Sequence, residues 1–136
     1  MTEPQNSIPE FSIKSLDGIA PEFDTTVTLP RLGVENGIPL GIRAMGIEKS
    51  KWTAMRDDFF ESARSVTAPA GATFTESIDT GAHSYAKFIM KFVVGWKLKD
   101  EFTEDNLVAL DMKLPGSMNA IVEGVNLALV HGRVGN

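Results

Sequence analysis

The sequence predicts an α+β fold: an N-terminal antiparallel β-hairpin at about 22–44, followed by about four α-helices at about 51–64, 84–96, 104–113 and 116–131. Three observations predict it. Phe23, Thr25, Val27 and Leu29 alternate with Glu22, Asp24, Thr26 and Thr28, the period of two that turns one strand face to a core and the other to water. After Asn36-Gly37, a pair suited to the positive-φ positions of a hairpin turn, Ile38, Leu40 and Ile42 repeat the alternation. Further on the period changes: Tyr85, Phe88, Ile89, Phe92, Val93 and Trp96 follow the i, i+3, i+4, i+7 spacing of an amphipathic helix.

Bulk properties bound the function classes. A chain of 136 residues is the length of one domain and buries about two-thirds of the surface its unfolded form exposes. With 43% hydrophobic and 23% charged residues it has the composition of a folded protein, not a disordered one. Net charge is −5, and Lys and Arg are scattered singly, so the basic stripe that neutralises nucleic-acid phosphates is missing. The chain has no cysteine, which excludes disulfides and thiolate metal sites and suits a reducing compartment. Glu3, Pro4 and Glu10 stand where a signal peptide would need basic residues and an apolar run, so no export signal is expected. Lys91 breaks the longest apolar run, Phe88 to Trp96, which falls well short of the ~20 residues that span a bilayer.

Taken in order, residues 1–10 are polar with prolines at 4 and 9 and read as a flexible arm, leaving 11–136 as a single domain. Phe11, Ile13 and Leu16 are expected in a short edge strand before a turn at Asp17-Gly18. Pro30 and Pro39 fall near the ends of the hairpin loop, where a missing N–H is tolerated. Ser50 is the expected N-cap of the first helix, with Trp52, Met55, Phe59 and Ala63 on one face. Residues 65–82 are small and polar, with a proline and two glycines. They read as a flexible loop, the alternative being a short strand over 72–78.

The helix expected at 84–96 is apolar around most of its circumference, with Lys87 and Lys91 as its charged stripe and Met90 and Val94 on the side away from the main face. Thr103 is the expected N-cap of the third helix, and Glu104 and Asp105 suit the positive end of its dipole. Pro115 ends that helix and opens the last one, whose Met118, Ile121, Val122, Val125 and Leu129 form an inner stripe. Gly132 is its expected stop. Leu127 and Val130 lie off the stripe. Met90, Val94, Leu127 and Val130 are therefore the candidate partner-binding residues, apolar positions that the core stripes do not use.

No catalytic, cofactor or metal constellation emerges. His83 and His131 are far apart, and neither has a ligand-type companion at i+4. Asp79, His83 and Ser84 lack the strand-turn-helix setting that presents a nucleophile. Asp57, Asp58 and Glu61 read as a solvated helix face. Asp100, Glu101, Glu104 and Asp105 lack the glycine and ligand spacing of a calcium loop and suit a helix start instead. The chain is read as a non-enzymatic binding module.

A family resemblance sharpens this. The stretch VVGWKLKDEFTEDNLVALDMKLPGSMNAIVEGVNLAL resembles the C-terminal region of phage tail assembly chaperones: an apolar segment ending in Gly95-Trp96, a hydrophilic link, Phe102-Thr103 opening a helix, then Pro115 before a final helix. Upstream, PEFDTTVTLPRLG and IPLGIRAMGIEKSKWTAM are similar to the strand, strand, helix start of such proteins, so that the likeness covers most of 20–133. It implies a role in tail morphogenesis in the host bacterial cytoplasm. The implied partners are the tape measure protein and tail tube subunits, with self-association a further expectation. A longer, frameshifted form is common among such proteins. The resemblance carries over no contact residue. The competing expectation is a structural tail subunit that stays in the virion, which the hairpin's free edges would suit.

Overall fold

The computed structural model describes residues 10–16, 19–65 and 70–135. Its element order is β1 (Glu22–Leu29), β2 (Ile38–Met45), α1 (Lys49–Ser65), α2 (Phe74–Ile89), β3 (Val93–Trp96), α3 (Glu104–Lys113) and α4 (Ser117–His131), with one 3-10 turn at Ile13–Ser15 ahead of β1. The α+β class, the N-terminal hairpin and the number of helices stand as the sequence predicts them.

β1 and β2 pair antiparallel in a register that sets Thr25 opposite Ile42 and Val27 opposite Leu40. The alternation of apolar and polar residues thereby becomes two faces. Val27, Leu29, Leu40, Ile42 and Ala44 are buried on one, while Glu22, Asp24 and Arg43 stand exposed on the other. There Arg43 bridges to Glu22 at 2.7 Å and to Asp24 at 3.0 Å across the strands, and its pKa is raised, chiefly by the hydrogen bond to Glu22. β3 adds antiparallel to the other side of β2, giving the order β1-β2-β3.

The helices cover the apolar face. α4 crosses β1 closely because Gly124 has no side chain; a Cβ there would collide with Val27 Cγ1. Trp52 of α1 is fully buried, edge-on to Phe92 at 4.7 Å, and its indole N–H donates to Asn126 Oδ1 of α4 at 2.9 Å. Phe59 stacks on Phe88 at 4.2 Å, so rings from α1 and α2 lock the two helices together. Beyond α4, Gly132 takes φ +65° and ends the helix as expected. The chain then returns to the outer edge of β1, where the Thr26 N–H donates to Gly135 O at 3.2 Å.

Two expectations are corrected. The helix expected at 84–96 is α2, displaced to 74–89: the chain turns at Met90–Phe92, and Val93–Trp96 is the third strand. A helix running to 96 would leave the second edge of β2 unpaired, whereas the strand lets Met45 N–H reach Phe92 O at 2.7 Å and Lys97 N–H reach Gly41 O at 2.9 Å. The loop expected at 65–82 is correspondingly shorter. Residues 66–69 lie outside the described residues, and helix begins at Phe74. Neither the loop nor a strand at 72–78 describes 74–82.

Smaller corrections follow the same logic. Ile13 lies in a 3-10 turn, not an edge strand, because the Ser12 hydroxyl accepts from the Lys14 N–H. Ser50 falls inside α1 and donates to Glu48, instead of capping it. Gly116 at φ +94°, not Pro115, precedes the first residue of α4. The arm at 1–10, apart from an exposed Glu10, and the Asp17-Gly18 turn lie outside the described residues.

Candidate protein-binding surface

The most exposed apolar surface among the helices is the N-terminal half of α2. Local chemistry starts the helix there despite poor helix formers such as Thr80 and Gly81. Thr73 is the N-cap: its hydroxyl accepts from the Glu76 N–H at 3.1 Å and also meets Glu76 Oε1 at 3.1 Å, tying the first turn at both ends. Two turns then project beyond the core. Phe74 is 82% exposed and Ile78 48%, one turn apart on the same face. Ala82 and Tyr85 continue the stripe toward the core and are half-buried. Burial pushes the Tyr85 hydroxyl pKa up to about 12, and the group hydrogen-bonds Asn119 at 3.3 Å.

Clefts flank this helix. One of about 510 Å³ opens between α2 and the α3–α4 corner, lined by Ile78, Ala82, Tyr85, Met112 and Pro115. Another of about 360 Å³ lies between α1 and α2, where Ser77, Gly81 and Ser84 leave room beside Phe59 and Ala63. Away from α2, a cleft of about 410 Å³ is bounded by Trp96, Leu98, Leu110 and Leu114. Trp96 is itself structural. It meets Phe102 edge-to-face at 5.1 Å, and its N–H donates to Asp100 O at 2.8 Å.

The sequence-predicted binding residues are dispersed. Met90 is 39% exposed at the C-cap of α2, and Val94 is 44% exposed in β3, at the register irregularity against Arg43 and Ala44. Both are open to solvent, but they are not one face of one helix. Leu127 is 45% exposed on α4, whereas Val130 is half-buried and packs against the core. Phe74 and Ile78 were not singled out by the sequence reading; the Thr73-x-x-Glu76 capping box followed by Phe74, Ile78, Ala82 and Tyr85 is the signal that finds them.

The polar groups show one juxtaposition that sequence separation hides. His83 Nδ1 lies 2.8 Å from Glu104 Oε2 at the start of α3, and Nε2 lies 3.6 Å from Asp79 Oδ1 one turn back on α2. So His83 does have acidic neighbours, contrary to expectation, and its pKa is raised, first by the hydrogen bond to Glu104. With both ring nitrogens turned to carboxylates, none is left for the Ser84 hydroxyl, and Asp79, His83 and Ser84 make no nucleophilic relay. Asp57, Asp58 and Glu61 are exposed on α1. Glu104 and Asp105 occupy the first turn of α3 behind the Thr103 N-cap, as expected.

Phe74 and Ile78 thus form an exposed apolar helix end between two clefts, on an acidic chain. The model of the phage tail assembly chaperone family matches residues 11–136, nearly the whole chain, and the chain belongs to that family. No curated protein matches it, and neither does any solved structure. Membership of the family brings protein partners in tail assembly and points to a non-enzymatic role. Among the described residues, no helix is long and apolar enough to cross a membrane.

Proposed function

We propose that this protein binds the tape measure protein during tail morphogenesis in the host bacterial cytoplasm, keeping its long amphipathic helices soluble until tail tube subunits are recruited. The observation that carries the reading is the pair Phe74 and Ile78, exposed on two projecting turns of α2 beside a cleft of helix-docking size. A partner helix laid along α2 would place its own apolar face on these residues and on Met112, itself exposed. Met90, Val94 and Leu127 extend the apolar surface as outlying contacts, and the −5 net charge keeps a loaded complex dispersed.

Co-expression with the tape measure protein encoded nearby tests this. A soluble complex is expected with the native chain. It should be lost when Phe74→Ser and Ile78→Ser are combined, with circular dichroism unchanged, and weakened by Met90→Ser or Leu127→Ser. If the tape measure protein aggregates regardless while this chain is abundant in purified tails, the chaperone reading fails and a tube or completion subunit takes its place.

A further inference from the structure

The contact between α2 and the start of α3 goes beyond partner binding. We propose that His83, Glu104 and Asp105 form a divalent-cation site of the imidazole-preferring class, for which Zn²⁺ is the representative ion, joining α2 to α3. One ligand atom from each of the three lies within 4.8 Å of the others, and His83 Nδ1 is 2.8 Å from Glu104 Oε2. Bonds of about 2.0–2.2 Å to a tetrahedral zinc ion leave its ligand atoms about 3.3–3.6 Å apart. The 2.8 Å contact and the 4.8 Å limit lie on either side of that spacing, so the three groups are close enough for a shared ion.

The arrangement is more than a group of acids. It includes a half-buried imidazole and a half-buried carboxylate, His83 and Glu104, 21 residues apart on two elements, with Asp105 exposed beside them. The start of α3 is held in place by Thr103, which accepts from the Asn106 N–H at 3.1 Å, and by Asn106 Nδ2, which donates to Glu101 O at 2.7 Å. Asp79 completes the set. If Nδ1 turns to the metal, the proton must lie on Nε2, and Asp79 Oδ1, 3.6 Å away, has to close by a few tenths of an ångström to accept it. A carboxylate behind a ligating histidine fixes the tautomer and strengthens the ligand. Two carboxylate charges also outweigh the roughly half charge of the α3 N-terminus that would otherwise repel a cation. Hard cations are disfavoured: Ca²⁺ takes six to eight oxygen ligands, and Mg²⁺ needs an octahedron of them.

The test uses the full chain freed of metal by a chelator, then titrated with Zn²⁺ or Mg²⁺. The expected result is one Zn²⁺ per chain by calorimetry and a raised melting temperature, with neither effect from Mg²⁺. His83→Asn should abolish binding, His131→Asn should leave it intact, and Asp79→Asn should weaken it by about tenfold or more. Because a variant may fold poorly, the native chain is also read directly. It has two histidines, so the imidazole NMR signals of His83 should move with one equivalent of Zn²⁺ while those of His131 stay. No heat at millimolar Zn²⁺, a response at His131 alone, or binding that survives His83→Asn overturns the proposal.

Discussion

The two halves of α2 obey opposite rules. In the C-terminal half, Ala86, Phe88 and Ile89 are buried, and Phe88 lies against Phe59, Tyr85, Trp52 and Phe92 in one cluster of rings. In the N-terminal half Phe74 and Ile78 face solvent, and the helix depends on its cap and its own backbone bonds. The same secondary structure is an anchor at one end and a display at the other. The difference teaches that an exposed apolar ridge is tolerable when burial further along the helix holds it in place.

Substitutions can break or sharpen that contrast. The largest effect is expected at the anchor: Phe88→Ala removes a ring stacked between α1 and α2 and should cost about 3–5 kcal/mol in urea unfolding. A destabilisation below about 1 kcal/mol would mean the anchored half is no more committed than the displayed one. Next, Gly124→Val drives a side chain into Val27 and should cost about 1–3 kcal/mol. It should do so without selective loosening of either half of α2, since the damage lies at the α4–β1 contact. Thr73→Ala removes one cap and should cost about 1 kcal/mol. Hydrogen exchange should then rise over 74–82 and stay unchanged over 85–89; uniform acceleration would show that the halves open together. Smallest in stability, Phe74→Ser with Ile78→Ser should remain within about 0.5 kcal/mol of the native chain, the ordinary range for surface changes. A larger loss would mean that these side chains are core and not display.

The same contrast explains what was legible. Tyr85, Phe88 and Ile89 are periodic because they are buried on one face, so the anchored half reads as helix from the sequence. The periodicity then misleads, since Phe92, Val93 and Trp96 continue the 3.6 spacing while the chain has already turned. A turn residue and a strand residue can enter the same core as a helical one would, and spacing alone does not separate the cases. What separates them is the unpaired edge of β2, more than 45 positions upstream, which offers backbone partners to Lys97 and Phe92. The displayed half failed for a different reason: its stripe of Phe74, Ile78, Ala82 and Tyr85 is sparse, and Thr, Ser and Gly between lower its helix propensity. Its local signatures are that stripe and the Thr73-x-x-Glu76 box.

Of the candidate binding residues, exposure at Leu127 was readable, because it departs from the core stripe of α4, while Val130 sits at the margin of that helix's packing. Met90 and Val94 are exposed for another reason, at the end of α2 and in β3, and not as the far side of one helix. Of the neighbours of His83, Asp79 is one turn back on the same helix and within reach of sequence spacing. Glu104 was not readable, since it reaches His83 only through the turn after α2, β3 and the link that follows.

Alternation and helix-end chemistry are local properties, and they determined the two strands of the β1–β2 hairpin, the caps at Thr103 and Gly132, and the inner stripe of α4. The hairpin loop differs from expectation, because its positive-φ residue is Gly33 at +78° and neither Asn36 nor Gly37 takes a positive φ. The end of α2, the third strand, the exposure of Phe74 and Ile78, and the meeting of His83 with Glu104 were decided by tertiary structure. Each depends on which distant surface is free to be covered or paired, and short-range sequence pattern carries no information about that.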